Sequence, residues 1–141
     1  MSSLGLVILA VDDYDEAVAI HTGRLGFVLW EDTVLGDGKR WGVVQPRRVR
    51  ETALLLSRAA TSHQRTRVGD QTGGRAGMFL STDDFDHDYR RLTAAGVMFE
   101  TAPRHEPWGD GRGLPRTPRK PMGLDRVVPV SWSSRGTCYS C

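Results

Sequence analysis

Arg104-His105-Glu106-Pro107-Trp108 puts a cation, an imidazole, a carboxylate and an indole side by side. Such a run can move protons near neutral pH through His105 and stack on a planar ligand through Trp108. The other histidines, His21, His63 and His87, are scattered along the chain. A metal ion needs several donors on convergent faces, so these three read as structural or solvated side chains. Cys138 and Cys141 form a C-x-x-C pair. They lack the helix start or second ligand pair that redox or zinc chemistry requires, and read as incidental thiols.

The elements that must position these groups are written twice. Val11-Asp12-Asp13-Tyr14-Asp15 and Thr82-Asp83-Asp84-Phe85-Asp86 each follow a short apolar run, Leu6 to Ala10 and Met78 to Leu80. Each precedes a helix-like stretch that ends in Gly, at Leu25-Gly26-Phe27 and Ala95-Gly96-Val97, and then a strand-like run. A duplicated strand–acidic cap–helix–Gly–strand unit implies two similar modules packed together. Asp12 or Asp13 can cap the first helix, with Asp15 and Glu16 well placed in its first turn.

The first unit predicts a strand over 5–11, a helix over 13–25, and a hairpin of strands 27–33 and 39–45 across Leu35-Gly36-Asp37-Gly38. Thr52 to Ser57 reads as a further strand, buried on both faces because of Leu54-Leu55-Leu56. A polar connector with a short helix near Ser62–Val68 leads into Thr72-Gly73-Gly74. The second unit predicts a strand over 76–81, a helix over 84–95 and a strand over 97–101. From Asp110 onward lie four of the seven prolines and no clear period of either kind.

With 141 residues, 39% hydrophobic and 26% charged, the chain is expected to form one α+β domain. The net charge of +2 is uneven: residues 110–141 hold six basic side chains and two acids, leaving the rest at −2. That argues against a nucleic-acid surface on the folded part. No apolar run is long enough to span a bilayer, and no leader pattern opens the chain, so the cytoplasm is the expected location.

The paired βαβββ pattern resembles the vicinal-oxygen-chelate superfamily, which includes glyoxalase I, extradiol dioxygenases and the bleomycin and fosfomycin resistance proteins. The resemblance covers residues 5 to about 109 and rests on Asp13-Tyr14-Asp15-Glu16-Ala17, Arg24-Leu25-Gly26-Phe27, Gly36-Asp37-Gly38-Lys39-Arg40-Trp41, Gln71-Thr72-Gly73-Gly74-Arg75 and Arg104-His105-Glu106-Pro107-Trp108-Gly109. It implies modules over about 5–58 and 75–109, each a curled sheet, enclosing a pocket. It implies metal ligands at the positions held here by Leu6, Gly77 and a residue on or beside Leu55. None of these offers a lone pair to a cation, so no metal and no other cofactor is expected.

Chains of that superfamily close with a turn and a last strand beginning near Trp-Asp-Leu, which is missing here. One nucleotide along, Met122-Gly123 must encode Trp, and allowed codons for Arg119 to Asp125 can encode Gly-Asn-Arg-Trp-Asp-Leu-Ile. Residues 110–141 therefore read as an irregular basic tail in place of the last two strands, through a frame shift or a divergent extension. The second module is expected to be incomplete at that end.

By resemblance and by subtraction of the metal, the expected function is binding of an aromatic or amphipathic small molecule. The pocket residues expected are Trp41, Leu55, Phe79, His105 and Trp108. A glyoxalase-like or dioxygenase-like enzyme and a non-functional remnant are the alternatives. Small members of the superfamily complete their pocket across a two-fold axis, so a homodimer is expected, with neither nucleic acid nor membrane as partner.

Overall fold

A computed structural model describes residues 2–47, 52–73, 78–82, 84–99, 105–106, 109–110, 126–132 and 137–139. The first module comprises β1 (Leu6–Val11), α1 (Tyr14–Ala19), β2 (Val28–Gly36), β3 (Lys39–Gln45) and β4 (Ala53–Arg58). Its sheet runs β1-β4-β3-β2, with β1 and β4 parallel from Leu6↔Ala53 to Val11↔Arg58 and the other pairs antiparallel. The short helix α2 (Ser62–Arg65) lies in the connector, closed by a capping box between Thr61 and Gln64. The second module begins with β5 (Met78–Thr82), α3 (Phe85–Ala94) and β6 (Met98–Phe99).

Both helices start by the same device. The Asp13 carboxylate accepts from the Glu16 N–H at 2.8 Å, and the Asp84 carboxylate from the His87 N–H at 3.0 Å. The second acid of each duplicated doublet thus satisfies a helix N-terminal donor that has no backbone partner. Both helices stop at a glycine in the left-handed region, Gly26 at φ 72° and Gly96 at φ 86°, the backbone state that lets the chain turn back to a strand. The β2–β3 hairpin turns on Asp37 and Gly38, both at positive φ, the pairing that a two-residue turn of this hand demands.

The expected helix over 13–25 is not one regular helix. It changes at Ile20–Arg24 into a π-helical turn, where the Leu25 N–H reaches the Ile20 carbonyl at 3.2 Å. Side chains already occupy the carbonyls one turn earlier. His21 Nδ1 donates to Ala17 at 2.7 Å and the Thr22 hydroxyl to Val18 at 2.8 Å. Side-chain bonds of this kind compete with the regular backbone ladder.

The core lies between the first sheet and the helices. Leu9, Val11, Val44, Leu54 and Leu56 face Tyr14 and Ala17 of α1, and the same cluster takes in Leu25, Phe27, Leu92 and Val97. Fully burying a side chain such as Leu56 or Val44 stabilises by about 1.5–3 kcal/mol. Because Leu92 and Val97 belong to the second unit, the modules share one core. Arg91 of α3 adds a polar tie, donating to the Leu25 carbonyl at 3.4 Å.

The stretch expected to be irregular supplies two strands, β9 (Arg126–Trp132) and β10 (Thr137–Tyr139), after a two-residue ladder of β7 (His105–Glu106) and β8 (Gly109–Asp110). The second sheet has four strands, in the order β5-β9-β10-β6. The physical source is the β-branched run Val127-Val128-Pro129-Val130. Pro129, which lacks an N–H, lies opposite Phe79 and outside the two rungs that β9 shares with β10. The order is nevertheless not that of the first sheet: β9 meets β5 antiparallel, and β10 meets β6 parallel.

Candidate functional site

Strand alternation assigns two faces to the first sheet. Leu9, Val44, Leu54 and Leu56 point to the helices and the core, so their neighbours occupy the opposite face. There a single row crosses all four strands: Ile8 on β1 beside Leu55 on β4, Leu55 beside Val43 on β3, and Val43 beside Glu31 on β2. Leu6 beside Ala53 flanks that row on one side, and Trp41 beside Thr33 on the other. The face is closed in the middle and open at both edges, at Ile8 and at Glu31. Val43 is buried, Trp41 and Leu55 are half-buried, and Ile8 is 67% exposed. Burial of apolar area and ring stacking are the forces such a wall offers a ligand.

Of the expected pocket residues, Trp41 and Leu55 share this face. Phe79 lies in β5 opposite Pro129, with its side chain outside the described residues. His105 pairs through the backbone with Asp110 in the short ladder, and its side chain and the whole of Trp108 are likewise outside. Leu6 and Leu55, the expected ligand positions that are described, lie on the same face and hold only hydrocarbon; Gly77 is outside the described residues. Neither Leu6 nor Leu55 carries an atom that could ligate a cation. Among the described residues no three His, Cys, Asp or Glu side chains are grouped to hold one.

A cleft lies beside β1, and sequence reading missed it. Ala10, Asp12, Glu16, His21, Val68 and Gln71 are among the residues lining a half-open cleft of about 50 Å³ between β1, α1 and the connector. That is room for a few waters, well short of a drug-sized ligand. Gln71 builds one wall by behaving as an extra strand residue. Its amide donates to the Ala10 carbonyl at 2.7 Å and accepts from the Ala10 N–H at 3.1 Å. His21 is buried against Phe27, with ring centroids 5.9 Å apart. Burial pushes the His21 pKa below its usual value, and the bond to Ala17 only partly opposes that, so the ring is neutral at pH 7. The signal in the sequence was present but ambiguous, since an i, i−4 contact with Ala17 requires a helix that the π-turn then alters.

On the helix side, Arg40 holds the hairpin to α1. It donates to Asp32 through Nε at 2.9 Å and Nη2 at 2.6 Å, and to Asp15 through Nη1. Those bonds keep the Asp32 carboxyl below the usual carboxylate range and raise the Arg40 pKa further. The Arg40 and Arg58 guanidinium groups lie over the Tyr14 ring, 5.5 and 5.9 Å from its centroid. This cluster is positioned to hold β2–β3 against the helix, away from the open face.

Comparison with known proteins agrees with this architecture. An uncharacterised protein of Shewanella frigidimarina (strain NCIMB 400) is 41% identical over 104 residues, 73% of this chain and 77% of that one. Among solved structures, UcmS2 superposes with a TM-score of 0.68 at 27% identity, covering 78% of this chain and 86% of its own. TnmS3, described as an antibiotic binding protein from Streptomyces sp. CB03234, superposes with a TM-score of 0.55 at 25% identity, over 94% and 98%. Among the described residues no helix is long and apolar enough to cross a membrane. The family model for the glyoxalase/bleomycin resistance protein/dioxygenase superfamily matches residues 3–122, and the chain belongs to that superfamily.

Proposed function

We propose that this protein binds an aromatic or amphipathic small molecule without a metal, against the open face of the first sheet, and that it works as a homodimer in the cytoplasm. One observation carries the reading: the row Ile8, Leu55 and Val43, with Leu6 and Trp41 beside it, is apolar on the face where a chelate would need donors. Hydrocarbon at Leu6 and Leu55 suits van der Waals contact with a ring system and cannot polarise a carbonyl. The antibiotic-binding description of TnmS3 points the same way. Phe79, His105 and Trp108 belong to the proposed pocket as the wall contributed from beyond the first sheet, with His105 offering a proton donor or acceptor near neutral pH.

The test is a titration of Trp fluorescence with bleomycin and with a planar anthraquinone, alongside calorimetry with Zn²⁺, Ni²⁺, Fe²⁺ and Mn²⁺ on metal-stripped protein. Saturable binding of an aromatic compound without metal is the expected result. Trp41→Ala should weaken it by about 1–3 kcal/mol, the range for losing a half-buried aromatic contact. Stoichiometric metal uptake, abolished by substitutions on the strands around Leu6 and Leu55, would restore the enzyme alternative.

A further inference from the structure

Gln45 ends β3 on the open face of the first sheet. Its neighbour Val44 points into the core, so alternation sets Gln45 on the other side with Val43 and Trp41. It is only 9% exposed. The positions around it carry hydrocarbon. Val28 faces it across the β2–β3 ladder. One position beyond the Val44↔Leu54 rung stands Ala53, itself paired with Leu6.

The chain has three glutamines, and the other two are committed to the backbone. Gln71 bonds both ways to Ala10, and Gln64 accepts from the Ala60 and Thr61 N–H groups. Among the described residues the Gln45 carboxamide has no hydrogen-bond partner, yet neither of its polar atoms is sealed inside the protein. The amide therefore reaches the surface of the face that holds it. A polar group drawn out of bulk water and left unpaired costs free energy. A ligand that pairs with it removes that cost, and one that cannot leaves the cost in place.

We propose that Gln45 reads the polar edge of the ligand, and that this edge is a lactam or carboxamide on a fused aromatic ring system. The inference rests on the reading above, that the open face binds an aromatic molecule. A carboxamide presents an acceptor and a donor in one plane. Its complement is an edge with N–H and C=O side by side: the ligand N–H donates to Oε1, and Nε2 donates to the ligand carbonyl. Turning the side-chain amide over exchanges the two roles, and the same kind of edge still matches. A carboxylate offers acceptors only, and Val28, Val43 and Ala53 supply no cation to hold one. The charged side chains of this face, Glu31 and Lys39, are exposed at its rim. Trp41 and Gln45 lie four residues apart on one strand, about 13 Å on strand geometry. A ring system stacked on Trp41 thus carries its amide edge inward to Gln45.

Calorimetric titration of the full chain with phenanthridinone, a fused planar lactam, and with its N-methyl derivative tests this. Phenanthridinone should bind at least about tenfold more tightly, since the N-methyl compound lacks the donor that the edge requires. Gln45→Met should bring phenanthridinone down to the level of the N-methyl compound and leave the latter unchanged. The Gln45 side-chain amide signals should shift in nuclear magnetic resonance spectra on adding phenanthridinone. With no ligand, the Gln45→Met chain should have a urea midpoint equal to or above that of the unsubstituted chain, because an unpaired amide has been removed. A sharp fall in that midpoint, equal binding of the two compounds by the unsubstituted chain, or a preference that survives Gln45→Met overturns the role of Gln45 and leaves binding at the apolar face standing. So does binding of a planar anthraquinone but of neither phenanthridinone. Failure of all three compounds to bind overturns both readings.

Discussion

In the first module β4 closes against β1 in parallel over six rungs, from Leu6↔Ala53 to Val11↔Arg58. In the second, β9 meets β5 antiparallel over five, from Met78↔Val130 to Thr82↔Arg126, and the parallel pair moves to β10 and β6. Yet the two units start alike, with an acidic cap, a helix, a left-handed glycine and a strand. The beginning of each unit is set by residues within one helix of each other, whereas closure needs a distant strand able to sit between two neighbours. Leu54-Leu55-Leu56 meets that need, because it offers apolar side chains to both faces of the sheet. Val127-Val128-Pro129-Val130 meets it less well, because Pro129 cannot donate to a ladder.

The largest test of this contrast is Leu56→Ala. Leu56 is 1% exposed and sits where β4, β3 and the helix side meet. Its truncation should cost about 2–5 kcal/mol in urea unfolding, the range for a buried Leu that leaves a cavity. Since Leu92 and Val97 share its cluster, a single transition should shift as a whole. Two separated transitions would show that the modules are not one cooperative unit.

A smaller effect is expected at the edge of the first sheet. Gln71→Ala removes both bonds to Ala10, which should cost about 1–3 kcal/mol at roughly 1 kcal/mol per net bond plus the exposed backbone groups. The local readout is the exchange of the Ala10 amide, which should speed up while the Leu54 and Leu56 amides keep their protection. An unchanged Ala10 rate would mean that the connector is held elsewhere.

Much of the fold was legible because its signals are local. The acid doublets ending in Asp13 and Asp84 predicted both caps, and Asp37-Gly38 predicted the hairpin turn. Leu54-Leu55-Leu56 announced a strand, and Leu54 and Leu56 are buried on the core face while Leu55 is half-buried on the other. For the candidate site, the resemblance pointed to the position of Leu55, and strand alternation sets Trp41 and Leu55 on one face. The cleft around His21 was not, because its walls come from three segments and from Gln71 acting through its side chain. Strands β9 and β10 were hidden by four nearby prolines and by pairings with residues more than thirty positions away, distances over which no sequence period carries.

The smallest expected effect separates the modules by pH. The π-turn and its buried histidine belong to the first module only, since α3 runs as a regular α-helix from Phe85 to Ala94. His21 is neutral in the folded chain, its pKa lowered chiefly by burial, while in the unfolded chain it titrates near 6.5, the ordinary histidine value, on the scale of about one unit either way. A base with a depressed folded pKa takes up its proton more readily when unfolded, so its contribution to stability is present above about pH 6.5 and falls away as pH drops through the folded value. Urea midpoints should therefore decline between pH 7.5 and pH 5, and His21→Phe should flatten the part of that decline owed to this ring. Amide exchange gives the sharper readout: at pH 5 the added exchange should appear around Ala17 to Phe27, where the ring is bonded and packed, and spare α3. Equal loosening of both helices would show that the decline does not come from His21.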